Sequence, residues 1–117
     1  MALFGKKNQK NEYNTALNQM NQEPVTKASE RLYFDEVTAD DAKTLYFIGK
    51  IKNHQPVVLN FEHVDVPTAN KVLAFIAGAM YALNGKTVKI DEKIYLFALS
   101  EEFLDGSLDE WISCFVS

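Results

Sequence analysis

PTANKVLAFIAGAMYAL, residues 67–83, is the least polar stretch of the chain, and from Val72 to Leu83 it holds no charged residue at all. It is too short for a membrane span, which takes about 20 apolar residues, and its length suits a buried helix. At helical spacing Ala69, Val72, Leu73, Ile76, Met80 and Leu83 share one face, the stripe a helix lays against a sheet. The opposite face should be polar, yet it carries Phe75, Gly78, Ala79 and Ala82, with Ala74 beside them and Lys71 as its only charge. A helix apolar all round needs cover on both sides. This chain is too small to supply a second layer, so the expected cover is another copy of it.

Working outward, Arg31 to Val37 (RLYFDEV) reads as a strand, and Thr38 as the cap of a helix whose first turn holds Asp40 and Asp41. That helix continues through Ala42, Leu45, Tyr46, Ile48 and Ile51 and ends near Asn53. Pro56 to Phe61 (PVVLNF) is a short apolar run between turn residues, hence an interior strand. Strand, helix and strand at this spacing imply a right-handed parallel crossover. Beyond the central helix, Asn84-Gly85 supplies a left-handed helix end. Thr87 to Ile90 and Ile94 to Leu99 form two strands joined at Asp91-Glu92-Lys93, and Trp111 to Val116 reads as a final strand. The predicted fold is an α/β two-layer sandwich in the order β-α-β-α-β-β, with two helices on one face of a mixed sheet and a helix-mediated homodimer.

The chain of 117 residues is one domain at most, residues 30–117, behind a polar tail over residues 1–29. The tail is rich in Asn and Gln, which bury too little apolar surface to offset the entropy of ordering. Tyr13, Ala16, Leu17 and Met20 nevertheless share a helical spacing, and Pro24 would end such a helix. Hydrophobic content of 47% and charged content of 24% fit a soluble globular protein, and a net charge of -4 argues against nucleic acid as a partner. The charge is unevenly spread. Residues 1–10 carry Lys6, Lys7 and Lys10 with no acid, whereas the C-terminal end carries Glu101, Glu102, Asp105, Asp109 and Glu110 with no base. Leu3 and Phe4 beside Lys6 and Lys7 therefore form a short candidate contact with an anionic membrane, each lysine near the leaflet being worth about 1 kcal/mol. Ala2-Leu3-Phe4 is interrupted by Gly5 and Lys6, so no secretory signal is read there, and a single cysteine, Cys114, excludes an intrachain disulfide and a cysteine-rich zinc site. A reducing cytoplasm follows as the expected compartment.

Chemistry is sparse. His54 and His63 stand in or beside turns without a partner at metal-ligand spacing, and they read as solvated loop residues. The pairs Asp35-Glu36, Asp40-Asp41 and Glu101-Glu102 fit helix starts and surface better than acid/base work. Ser100, Ser107 and Cys114 lack a nucleophile setting, and no phosphate-cradling glycine loop occurs. No catalytic residue, metal ligand or cofactor is expected, and the chain reads as a non-enzyme. Gly78 in a helix interior costs about 1 kcal/mol relative to alanine. It therefore points to a close approach by a second helix, with Phe75, Gly78, Ala79 and Ala82 as the self-association surface.

The segment PVVLNFEHVDVPTANKVLAFIAGAMYALNGKTVKIDEKIYLFAL resembles the core of the SepF family of cell-division proteins. There a VVVNL-type strand leads to an A-x-R-I-x-D-F-x-S-G-x-x-Y-A-L-x-G-type helix and then to an I-F-L-type strand. The matching positions are Val57 to Phe61, then Ala69, Lys71, Val72, Phe75, Gly78, Tyr81, Ala82, Leu83 and Gly85, then Ile94, Tyr95 and Leu96. The resemblance covers residues 31–99. It implies a cytoplasmic adaptor that binds the C-terminal peptide of the tubulin-like protein FtsZ and tethers the division ring to the inner face of the membrane. The peptide-contacting positions it implies are Ala69, Lys89 and Tyr95, the last standing where the family usually has Phe. A reading from another class also fits the predicted fold, a self-associating regulatory domain that binds a small ligand.

Overall fold

A computed structural model describes residues 26–115. The N-terminal contact residues Leu3, Phe4, Lys6 and Lys7, and most of the expected tail, lie outside them. Strand β1 (Tyr33–Glu36), helix α1 (Asp41–Lys52), strand β2 (Val57–Asn60), helix α2 (Val66–Leu83), strand β3 (Gly85–Asp91) and strand β4 (Ile94–Leu99) follow in the predicted order. The sheet runs β1-β2-β4-β3. β1 and β2 are parallel, and β4 lies antiparallel to both β2 and β3. It therefore slots between two strands that run the same way. The result is the α/β sandwich with a mixed sheet.

Local chemistry sets the element ends. Asp40, rather than Thr38, caps α1, its Oδ1 accepting the Ala42 amide at 2.9 Å, while the Thr38 hydroxyl accepts the Asp40 amide at 3.2 Å. The cap falls two residues late because Thr38 makes the turn that presents Asp40. Asp65 caps α2 by accepting the Thr68 amide at 2.9 Å. Thr68, through its hydroxyl first, holds the Asp65 carboxyl below the usual carboxylate range. Pro67 sits in the first turn, where its missing N–H costs nothing. Asn84 closes the helix at φ 59°. Gly85 serves a different need, because a Cβ there would lie 2.7 Å from Met80 Sδ and 3.0 Å from the Ala98 carbonyl oxygen.

Side-chain alternation along the strands produces two apolar layers. On the helix side Val57, Leu59 and Phe97 meet Phe47 and Ile51 of α1 and Val72, Ile76 and Met80 of α2. The inward residues of α1 are Thr44, Phe47 and Ile51, which leaves Leu45 and Tyr46 outside. On the other side Val58, Ile90, Leu96 and Ala98 are covered by Ala28, Phe103 and Leu108. The sequence does not predict this cover, which consists of two 3-10 turns, Ala28–Arg31 and Ser100–Phe103, and a short helix α3 (Ser107–Ile112). The expected strand from Trp111 is thereby corrected. Gly106 turns the chain at φ 80°, and Leu108, Trp111 and Ile112 present one helical face to the sheet.

Candidate peptide groove and unpartnered helix face

Two antiparallel strands and the start of α2 bring three of the sequence-predicted residues together. Tyr95 on β4 lies directly opposite Lys89 on β3, so both side chains rise on the helix side of the sheet. Beside Tyr95 a groove of about 140 Å³ is lined by Phe61, Val64, Ala69, Leu73 and Tyr95, with Glu92 and Lys93 at its mouth. The rings of Phe61 and Tyr95 meet edge to face at 5.3 Å between centroids, and the Phe61 amide donates to the Lys93 carbonyl at 2.8 Å. These contacts fix the hairpin end of β3-β4 against β2. Lys89 is exposed and stands next to the lining rather than within it.

A register shift between Lys89 and Asp91 interrupts the ladder beside the groove. Such a bulge re-aims side chains at a strand end. Among the described residues β3 is also an edge strand, paired only with β4, which leaves part of its backbone open to pairing with an extended chain. The arrangement offers an apolar slot of side-chain size, cations at Lys89 and Lys93, and a strand edge. It suits an extended peptide that carries an apolar residue and an acid.

The outer face of α2 is the second feature. Phe75 is 42% exposed and Tyr81 91% exposed, with Ala74, Ala77, Gly78 and Ala82 exposed between them. Ala79 is different. It is half-buried and packs on the helix-side core, so of the four expected contact residues it is the one this chain already uses. A Cβ added to Gly78 would have no neighbour within 4 Å. Nothing among the described residues therefore calls for glycine there. α2 is apolar and long enough for a short span, but Val72, Ile76 and Met80 belong to the core of the sandwich.

Both histidines are exposed and stand in turns, as the sequence reading expects, and each has a carboxylate partner that the sequence does not show. His54 follows α1 at φ 69°, and its Nδ1 lies 2.8 Å from Glu101 Oε2 and 2.9 Å from Glu102 Oε2. Glu102 is buried and also pairs with Arg31, whose Nε donates to the His54 carbonyl at 3.2 Å. His54, Glu101 and Glu102 are within reach of a common cation, but Arg31 already occupies Glu102. The cluster acts as a latch joining the N-terminal turn, the end of α1 and the turn after β4. His63 lies 3.8 Å from Glu36 in an exposed pair. Sequence reasoning missed the latch because its members are far apart in the chain, with Arg31 and Glu102 separated by 71 positions.

Comparison with known proteins covers this same core. The family described as Cell division protein SepF matches residues 37–101, which include the groove and all of α2. A cell division protein SepF of Natranaerobius thermophilus is 38% identical over 63 residues, 53% of this chain and 38% of that protein. One of Carboxydothermus hydrogenoformans is 36% identical over 78 residues, covering 67% of this chain and 52% of that protein. A cell division protein sepF homolog of Cyanophora paradoxa is 47% identical over 50 residues, 43% of this chain and 46% of that protein. The aligned stretch thus spans about half or less of each relative's length. With more than half of its residues matched and its predicted core in place, the chain belongs to the SepF family of cell division proteins.

Proposed function

We propose that this domain is a non-enzymatic adaptor of cytoplasmic cell division, which holds the C-terminal peptide of FtsZ and helps tether or align the division ring at the membrane. The observation that carries the reading is an apolar groove lined by Ala69 and Tyr95, with Lys89 opposite Tyr95 on the neighbouring strand edge. A volume of about 140 Å³ is small beside the roughly 300–1,000 Å³ of small-molecule sites. It suits one or two peptide side chains rather than a whole metabolite at this position. Lys89 supplies the charge that would pair with an acidic residue of the peptide.

Self-association through the outer face of α2 belongs to the same proposal. The exposed strip around Gly78 gives a second helix room to approach, and burying the 42% of Phe75 that is still exposed is worth about 1 kcal/mol. Gly78→Lys would place a charged chain in that space and should shift the protein to monomer in sedimentation. A dimer that survives the change removes α2 from the interface. Membrane contact is assigned to Leu3, Phe4, Lys6 and Lys7. Vesicles containing anionic lipid should retain the full chain and lose it when Lys6 and Lys7 are changed to Glu.

Titration with the FtsZ C-terminal peptide tests the central claim. The native protein should bind saturably, and Lys89→Glu should weaken binding about tenfold or more, as expected for reversing a charge pair at a peptide contact. Unchanged affinity in the variant moves the site away from the groove. Absence of binding by the native protein ends the adaptor reading.

A further inference from the structure

Among the described residues the second face of the sheet is not fully closed by its short segments. Next to the covered part lies an open groove of about 670 Å³, which none of the features assigned above uses. Phe34, Val58 and Ile94 make its apolar floor, and Phe34 is 59% exposed. The covering helix stops at its border, where Trp111 meets Phe34 edge on at 6.0 Å. Asp35 and Glu36 stand on the rim. An adjoining hollow shares Asn60 and Ile94 and adds Glu62, Asp91 and Glu92. Against these five acids the two hollows contain only Lys43 and Lys93, and Lys43 is paired with Asp35 at 3.3 Å. The Tyr33 hydroxyl, ahead of the Glu36 amide and Lys43, holds the Asp35 carboxyl below the usual carboxylate range.

The start of the described chain lies on this same face. Ala28 is buried among the second-face residues, and its amide donates to Asp105 at 3.0 Å. The segment preceding residue 26 therefore departs from one end of the face whose other end is the groove. The four residues of β1 separate those ends, a length of about 13 Å. Residues 1–10 lie sixteen or more positions before Thr26. Sixteen residues span about 24 Å even as a helix, and more when extended. The tether is long enough. Those ten residues hold Leu3, Phe4, Lys6, Lys7 and Lys10 and no acid. They offer apolar side chains for the floor and positive charge for the rim.

We propose that this chain's own N-terminal segment, residues 1–10, docks in the acid-rimmed groove formed by Phe34, Val58 and Ile94. Docking hides the residues assigned above to membrane contact, so the domain holds its lipid-binding end in reserve until an anionic surface competes for it. The docking itself stands on the groove, the charge and the tether. Only its regulatory consequence rests on the membrane reading.

The test uses the full chain with a spin label at Asn8→Cys and with Cys114→Ser, observing amide resonances. Broadening should concentrate on Phe34, Asn60 and Ile94 and weaken near 1 M salt, where charges are screened beyond about 3 Å. Glu36→Gln with Glu92→Gln, both at exposed positions, should reduce the broadening about threefold, as expected for two removed surface charges. The same double variant should raise retention on anionic vesicles by a similar factor. Absence of broadening at the groove overturns the proposal. So does broadening seen only between a labelled chain and a separate isotope-labelled one, which would seat a second copy's segment there. Broadening without any vesicle retention keeps the docking and removes the membrane reading, whereas retention without broadening does the reverse.

Discussion

The two faces of the sheet bury similar side chains and are closed by unlike means. On the helix side Phe47, Ile51, Leu59, Ile76 and Phe97 are fully buried beneath helices of 12 and 18 residues. Each helix brings an apolar stripe long enough to define its own position. On the opposite side Leu96, Ala98 and Leu108 are equally buried, but the cover is a six-residue helix and two four-residue turns. Helices this short do not hold themselves in water. Their place depends on polar pins, with Asp105 accepting the Ala28 and Ser107 amides at 3.0 and 2.8 Å and Glu102 accepting from Arg31. One face is closed by hydrophobic area, and the other by a few directed bonds that bring a smaller apolar patch into register.

The comparison breaks first at Phe97. Phe97→Ala removes the ring that β4 contributes to the helix-side core and should cost about 3–5 kcal/mol in urea unfolding, with all probes losing signal together. A cost below about 1.5 kcal/mol would mean that this face is not the primary core. Leu108→Ala on the other face should cost less, about 2–3 kcal/mol, because a pinned short helix can relax into the space. Hydrogen exchange separates the two. Amides of residues 26–31 and 100–115 should lose protection while those of α2 keep theirs. Uniform loss across the chain would make the two faces one cooperative unit.

Asp105 sharpens the contrast by removing pins without touching apolar area. Asp105→Ala leaves the Ala28 and Ser107 amides without their acceptor and should lower the urea midpoint, by less than Leu108→Ala does. The Ala28 amide first, then Ser107, holds the Asp105 carboxyl below the usual carboxylate range. A depressed folded pKa means that the stabilisation is fully present above the unfolded value of about 3.9. It is lost as pH falls through the lower folded value. Acidification below about pH 4 should therefore loosen the pinned face, and the Asp105→Ala protein should lack that step at residues 26–31.

The same contrast explains how much could be read in advance. The helix side was legible because burial there leaves periodic signatures: Val72, Ile76 and Met80 repeat along α2, and Pro56 to Phe61 is apolar on both faces, as an interior strand must be. The groove was legible only through the family resemblance. Lys89 and Tyr95 meet by strand register and Ala69 reaches Tyr95 from α2, which spacing along one chain does not show. The pinned face was largely hidden. Trp111 to Phe115 has strand-forming residues, and the competing signal, Leu108, Trp111, Ile112 and Phe115 at i, i+3, i+4 and i+7, extends over only two turns. Ala28 gives no pattern at all, being a single small apolar residue between Lys27 and Ser29. Long-range hydrogen bonds, not local sequence, decide that region.

The smallest expected effect belongs to the one ion pair that links the two helices. Lys71 of α2 and Asp41 of α1 approach to 3.3 Å, with both side chains more than 60% exposed. If helix position were set by polar contacts, as on the opposite face, this pair would matter as Asp105 does. Both helices are instead seated by burial on the same sheet, and an exposed pair adds little once solvent screens it. Lys71→Ala should shift the urea midpoint by no more than about 0.5 kcal/mol equivalent. A loss above about 1 kcal/mol would mean that α1 needs α2 to hold it through charge. The helix side would then be pinned as well, and the distinction between the two faces would be one of degree.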